Sequence, residues 1–67
     1  MLGFTYVQDQ DIFIHNPTYF VFSGDYIAME SNDEIKTKFY NATGYVLDDF
    51  AIGMMRARMK NGKTIYS

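Results

Sequence analysis

Ser31-Asn32-Asp33-Glu34, midway along the chain, has the spacing of a helix-capping box: the serine hydroxyl can accept from the amide of Glu34, whose carboxylate reaches back to the serine N–H. It divides the 67 residues into two differently patterned stretches. Upstream, short β-branched and aromatic runs alternate with turn residues. Downstream, apolar residues recur at helical spacing. A chain with strands first and helices second folds as an α+β domain with its helices gathered on one face of an antiparallel sheet.

The whole sheet is expected to hold three to five short strands, most of them in the upstream stretch. Phe4-Thr5-Tyr6-Val7, the polar turn Asp9-Gln10-Asp11 and Ile12-Phe13-Ile14-His15 read as a hairpin. Asn16-Pro17 stops the second strand, because proline lacks the ladder donor and restricts the residue before it. Tyr19-Phe20-Val21-Phe22 begins a third, and Gly24-Asp25 gives a turn or bulge. Tyr26-Ile27-Ala28-Met29 reads as a fourth short strand or a bulged continuation of the third.

Downstream, a first helix starts at the capping box, repeats Ile35, Phe39 and Ala42, and stops at Gly44, where a left-handed residue is wanted. A second runs from about Asp48, a suitable N-cap, to Lys60, with Asn61-Gly62 able to terminate it. Steps of about 100° put Asp49, Gly53, Arg56 and Lys60 on one narrow polar stripe. Leu47, Phe50, Ala51, Ile52, Met54, Met55, Ala57 and Met59 fill the remaining arc, wide enough to imply burial against two surfaces. Arg58 falls at the centre of that arc, which predicts an ion pair with an acid from the strand region, since an unpaired buried charge costs several kcal/mol. Lys63-Thr64-Ile65-Tyr66 reads as a closing strand. The order is β-β-β-α-α-β, with two helices on one sheet face, in a single domain over residues 1–67.

A chain this short sits near the size where burial only just offsets the entropy of ordering. Its 48% apolar and 18% aromatic residues make a core without disulfides or metal plausible on physical grounds, and it has no cysteine. That excludes thiolate catalysis and cysteine-ligated zinc, and it fits a reducing, cytoplasmic setting. Met1-Leu2-Gly3 lacks a basic leader, and no apolar run approaches the roughly 18 to 20 residues of a membrane span, so a soluble protein without membrane association is expected.

Charge is segregated. Residues 1–35 hold Asp9, Asp11, Asp25, Glu30, Asp33 and Glu34 with no base, a sum of −6. Residues 36–67 hold Lys36, Lys38, Arg56, Arg58, Lys60 and Lys63 against Asp48 and Asp49, a sum of +4, giving the net −2. Such a dipole either pairs internally or offers an acidic face to a basic partner.

Few residues carry chemistry. His15 is the single histidine and, at a strand end beside Asn-Pro, reads as a solvated or capping residue rather than a ligand or base. Asp48 and Asp49 suit a helix's first turn. The glycines never form a phosphate-cradling loop, so no cofactor, metal or nucleotide is expected, and the chain reads as a non-enzyme. The Arg56-to-Lys63 cluster is explained by helix-end electrostatics, and the net acidity opposes direct nucleic-acid binding. The strands carry apolar residues on both faces while helices cover only one. The other face should therefore expose aromatics flanked by Asp9, Asp11 and Asp25, the composition of a protein-binding patch or a homodimer seam. The candidate protein-binding residues are Asp9, Asp11, Tyr19, Asp25, Tyr26, Glu30, Asp33 and Glu34.

The acidic strand region, the Asn16-Pro17 break, two short helices ending at Asn61-Gly62 and the closing Lys63-to-Tyr66 strand resemble small phage-encoded antagonists, in particular anti-CRISPR proteins. The outline is similar to a type I-F anti-CRISPR family of β-β-α-α-β order. The resemblance spans residues 10–67 and is architectural. It implies stoichiometric inhibition of a basic, nucleic-acid-binding host complex, by DNA mimicry where acidic surfaces occupy a DNA site. It directs attention to Asp25, Glu30, Asp33 and Glu34, and it supplies no catalytic motif. The alternatives are a homo-oligomeric structural or regulatory module and a weak nucleic-acid binder using the C-terminal basic cluster.

Overall fold

The structure is a computed structural model that describes residues 3–59. The expected closing strand at residues 63–66 and the Lys60 and Lys63 end of the basic cluster lie outside the described residues. Within them the fold is α+β, with the order β1 Phe4–Val7, β2 Ile12–His15, β3 Val21–Ser23, α1 Gly24–Met29, α2 Asn32–Thr43 and α3 Asp49–Arg58. The three strands form an antiparallel meander in which Phe13 lies opposite Tyr6 and Phe22, and Ile14 opposite Thr5 and Val21. This register sends Phe4, Tyr6, Phe13, His15 and Phe22 to one face, the period-2 consequence of strand geometry. The helices cover that face. Phe13, Phe22, Ile27, Ile35, Phe39, Leu47, Ile52, Met55 and Met59 form the buried core.

Phe39 is the hub. Projecting from α2, its ring lies 5.6 Å from that of Phe4, 4.8 Å from His15, 6.0 Å from Phe20 and 5.7 Å from Phe22. One residue thus joins all three strands and the β2–β3 loop to a helix. Ala42, the third position of the expected α2 stripe, is exposed.

The segment expected as a fourth strand is a helix. Ser23 ends β3 and also caps α1, its Oγ accepting from the Tyr26 amide at 3.1 Å. Gly24 and Asp25 therefore form a first helical turn, and Ile27 points into the core. Six residues are too few to reveal helical periodicity, and the β-rich composition of Tyr26-Ile27 favours the wrong reading. The third strand is also shorter than expected. Tyr19 has a left-handed φ of 62° and belongs to the loop, so pairing starts at Val21.

α2 begins at its serine cap, with Ser31 Oγ accepting from Glu34 N at 3.2 Å, and ends at Gly44, whose φ of 78° satisfies the αL position. The Glu34 carboxylate does not complete the box, since it accepts from the Tyr26 hydroxyl at 3.2 Å instead. α3 starts on Asp48, whose Oδ1 accepts from Ala51 N at 2.8 Å.

Three expectations about packing are corrected. The outer sheet face is aliphatic and hydroxylic, carrying Thr5, Ile12, Ile14 and Val21, because the register turns the aromatic set inward under the helices. α3 buries one face only: Ile52, Met55 and Met59 are in the core, whereas Phe50 is 75% and Met54 40% exposed. Arg58 is exposed, and it is Arg56 that enters the structure. Its Nε donates to Ile27 O at 3.0 Å, Nη2 to Glu30 O at 2.9 Å and Nη1 to Asn32 Oδ1 at 2.7 Å. The expected carboxylate partner is replaced by the end carbonyls of α1, the acceptors that a helix C-terminus leaves open and that a cation complements. Among the described residues no helix is long and apolar enough to cross a membrane.

Candidate binding surface

Acidic residues gather at both ends of α1. At its start, the turn over residues 8–11 places Asp11 at a positive φ of 55°, and Gly24 N donates to Asp11 O at 2.7 Å. The Asp11 carboxylate lies so close to Gly24 that a Cβ at this position would collide with it, which accounts for glycine there. The same carboxylate accepts from the Tyr6 hydroxyl, so Asp11 is half-buried and structurally engaged. Asp9, at the tip of this turn, and Asp25, in the first turn of α1, are exposed near it. At the other end, Glu30 caps α1 through its N–H on Tyr26 O at 3.0 Å, and Asp33 and Glu34, in the first turn of α2, follow three and four residues later.

Tyr26 connects the two groups. Its ring stacks on Phe22 at 5.6 Å with planes 10° apart, and its hydroxyl donates to Glu34. Partial burial, with the Glu34 and Glu30 carboxylates beside it, pushes the phenol above its usual range. The Lys38 ammonium sits 5.8 Å from the centre of the same ring. Tyr19, also expected at the site, stands apart: it lies in the β2–β3 loop, at the end of the sheet opposite Asp9, Asp11 and α1.

Of the four described bases, Lys36 and Arg56 are engaged by hydrogen bonds within the fold, Lys38 lies over the Tyr26 ring and Arg58 is exposed. Lys36 pairs with Asp49 at 2.8 Å, the one ion pair among the described residues, and Asn32 Nδ2 donates to the same Asp49 oxygen at 3.0 Å. The Lys36 hydrogen bond holds the Asp49 carboxyl below its usual range and raises the lysine. Arg56 has no carboxylate partner among these bonds and brings its charge to the end of α1, through the Ile27 and Glu30 carbonyls and Asn32 Oδ1. Asp9, Asp25, Glu30 and Asp33 have no ion pair among the described residues, so carboxylates predominate around α1, with Lys38 over Tyr26 and Arg56 at the end of the helix as the bases nearest them.

His15 differs from its expected role. It is 4% exposed, with the rings of Phe4, Phe39 and Tyr45 at 5.0, 4.8 and 4.8 Å and Nδ1 at 2.7 Å from Thr18 Oγ1. Its backbone also organises the loop: His15 O accepts from Tyr19 N at 2.6 Å and His15 N donates to Phe20 O at 2.7 Å. Desolvation holds the imidazole below its ordinary 6.5. The unfolded chain therefore binds a proton at higher pH than the folded one, and stability falls as pH drops below about 6.5, levelling off once the folded form is protonated too. Thermal melts from pH 7.5 to 5 should show this loss. A His15→Gln variant, less stable overall, should lack it over the same window. Acidic loss from Asp49 occurs at lower pH, near the ordinary carboxylate range, and stays separate.

No three acidic or histidine side chains among the described residues are grouped as metal ligands would be. Comparison of the chain with protein-family models, curated proteins and solved structures returned no match. Two features of the surface were missed in the sequence. The Arg56 clasp was hidden because the wheel placed Arg56 on a polar stripe, and the exposed apolar face of α3 because its width suggested complete burial.

Proposed function

We propose that this chain acts by stoichiometric binding, as a small acidic inhibitor of a basic, nucleic-acid-binding host complex, of the kind that phage and mobile elements encode against host defence, anti-CRISPR proteins included. The carrying observation is the run of carboxylates at the ends of α1 and the start of α2: Asp25, Glu30 and Asp33 are exposed and without ion pairs among the described residues, while Lys36 is paired with Asp49 and Arg56 is turned onto backbone carbonyls. A surface on which one sign predominates steers an oppositely charged partner and raises its association rate. Tyr26, held flat against Phe22, adds a rigid aromatic beside the carboxylates, the kind of anchor that gives an interface its affinity.

In this reading the carboxylates contact arginines and lysines that would otherwise hold nucleic-acid phosphates, so binding is competitive with duplex DNA. The experiment is retention of nuclease-treated bacterial lysate proteins on the immobilised chain, with a salt series and a DNA competitor. Retention of a basic nucleic-acid-binding protein should fall steeply with salt, and duplex DNA should displace it. The combined Asp25→Lys, Glu30→Lys and Asp33→Lys variant should weaken retention by about 100-fold or more, as several kcal/mol of like-charge contact requires. Salt-indifferent retention, unaffected by the reversals, would refute the acidic-surface mechanism.

A further inference from the structure

The arc of apolar residues on α3 is wide enough for two packing surfaces, and the described fold supplies one. Ile52, Met55 and Met59 enter the core, while Phe50, Gly53, Met54 and Ala57 face outward. Steps of about 100° place these four within an arc of about 100°, on the far side of the helix from the core residues. Gly53 at mid-helix costs about 1 kcal/mol relative to alanine. Nothing among the described residues requires it, since a Cβ there would meet no atom of another element within 4 Å.

From this geometry we infer that the outer face of α3 is a homodimer seam, in which two copies of the helix pack antiparallel about a two-fold axis passing between Gly53 and Met54. The stripe is self-complementary under that operation. Phe50 of each copy lies over Ala57 of the other, and Met54 lies over Gly53, so each large side chain meets a small one. A closed isologous contact needs this pairing of a surface with itself. Charge selects the antiparallel sense. α3 carries Asp48 and Asp49 at its start and Arg58 at its end, so antiparallel copies bring each acidic first turn to the end where the other carries arginine, with opposite helix dipole ends adjacent. A parallel arrangement would set like against like. The stripe is apolar, so it is distinct from the carboxylates around α1, and it replaces the sheet face as the site of self-association.

The helix is about 15 Å long, and the contact is at the small end of interface sizes, so dimerisation should be concentration-dependent over the micromolar to millimolar range. Sedimentation of the full chain from 10 µM to 1 mM is the test, taken from about the range where such weak contacts form. The mass should rise toward twice the monomer, and Phe50→Asp should hold it at one monomer with an unchanged far-UV spectrum. Gly53→Leu should weaken association at least tenfold without lowering the monomer's melting temperature, an outcome that a purely structural role for the glycine would not give. Because the chain has no cysteine, Met54→Cys should form an intermolecular disulfide on oxidation, whereas Val21→Cys on the outer sheet face should not. A full chain that stays monomeric throughout, as it would if its own residues 60–67 covered the stripe, overturns the inference. So does a dimer that survives Phe50→Asp and cross-links through Val21→Cys.

Discussion

Phe39→Ala should leave the protein largely unfolded at room temperature. The ring is 1% exposed and touches the aromatic rings of Phe4, His15, Phe20 and Phe22. Truncating a buried phenylalanine removes its transfer free energy and leaves a cavity, together about 3–5 kcal/mol. At about 0.05–0.15 kcal/mol per residue, a chain of this size has roughly 3–10 kcal/mol in total. The loss is therefore comparable with the whole. Far-UV circular dichroism and a urea titration at 25 °C would show it, and a cooperative transition within 1 kcal/mol of the parent would contradict the role given to this ring. Phe39→Leu, which keeps most of the apolar volume, should retain a cooperative transition at reduced stability.

Arg56→Ala should be the most damaging substitution of a charged residue, at about 2–3 kcal/mol. The guanidinium is the only side chain among the described residues seen to hydrogen-bond the end carbonyls of α1, and it also holds Asn32 at the start of α2. A six-residue helix has no stability alone, because nucleation is costly and few bonds repay it, so α1 depends on such tertiary ties. Bonds from an ionised donor are worth about 1.5–3 kcal/mol each, but Glu30 O is reachable by water, which limits the sum. Lysine offers a single ammonium in place of the planar fork and should recover only part of the loss. Arg58→Ala, on an exposed position, should change stability by less than about 0.5 kcal/mol. Urea midpoints of the three variants give the order directly. Equal effects at 56 and 58 would remove the clasp from the account.

The two long helices and their caps were legible because each signal is local: Ser31 and Asp48 accept from amides three residues on, and Gly44 takes the positive φ that ends α2. The first two strands and their turn were legible for the same reason. α1 was not, since its cap, Ser23, is also the last residue of a strand, and six residues do not establish a period. His15 was misplaced because its burial comes from Phe39 and Tyr45, more than 20 residues away and invisible from its neighbours. Which arginine enters the fold was likewise a tertiary matter. The wheel gives the order of residues around α3, but only contact with α1 decides that the edge carrying Arg56 turns inward. Of the expected acidic residues, Asp9, Asp25, Glu30, Asp33 and Glu34 are exposed, while Asp11 serves the hairpin and Tyr19 stands at the opposite end of the sheet.

The junction at Ser23, where strand passes into helix with no intervening loop, couples the surface to the sheet in phase. Each added residue turns a helix by about 100°. One extra residue between Ser23 and Gly24 would swing Ile27 out of the core and carry Asp25 and Glu30 a quarter-turn or more around the molecule. The charged edge of α1 is in this sense geared to the strand ladder. Its composition can drift by substitution with little cost to the fold, whereas its length cannot change by a single residue without turning the helix, so variation along this edge is confined to side-chain exchange and excludes insertion.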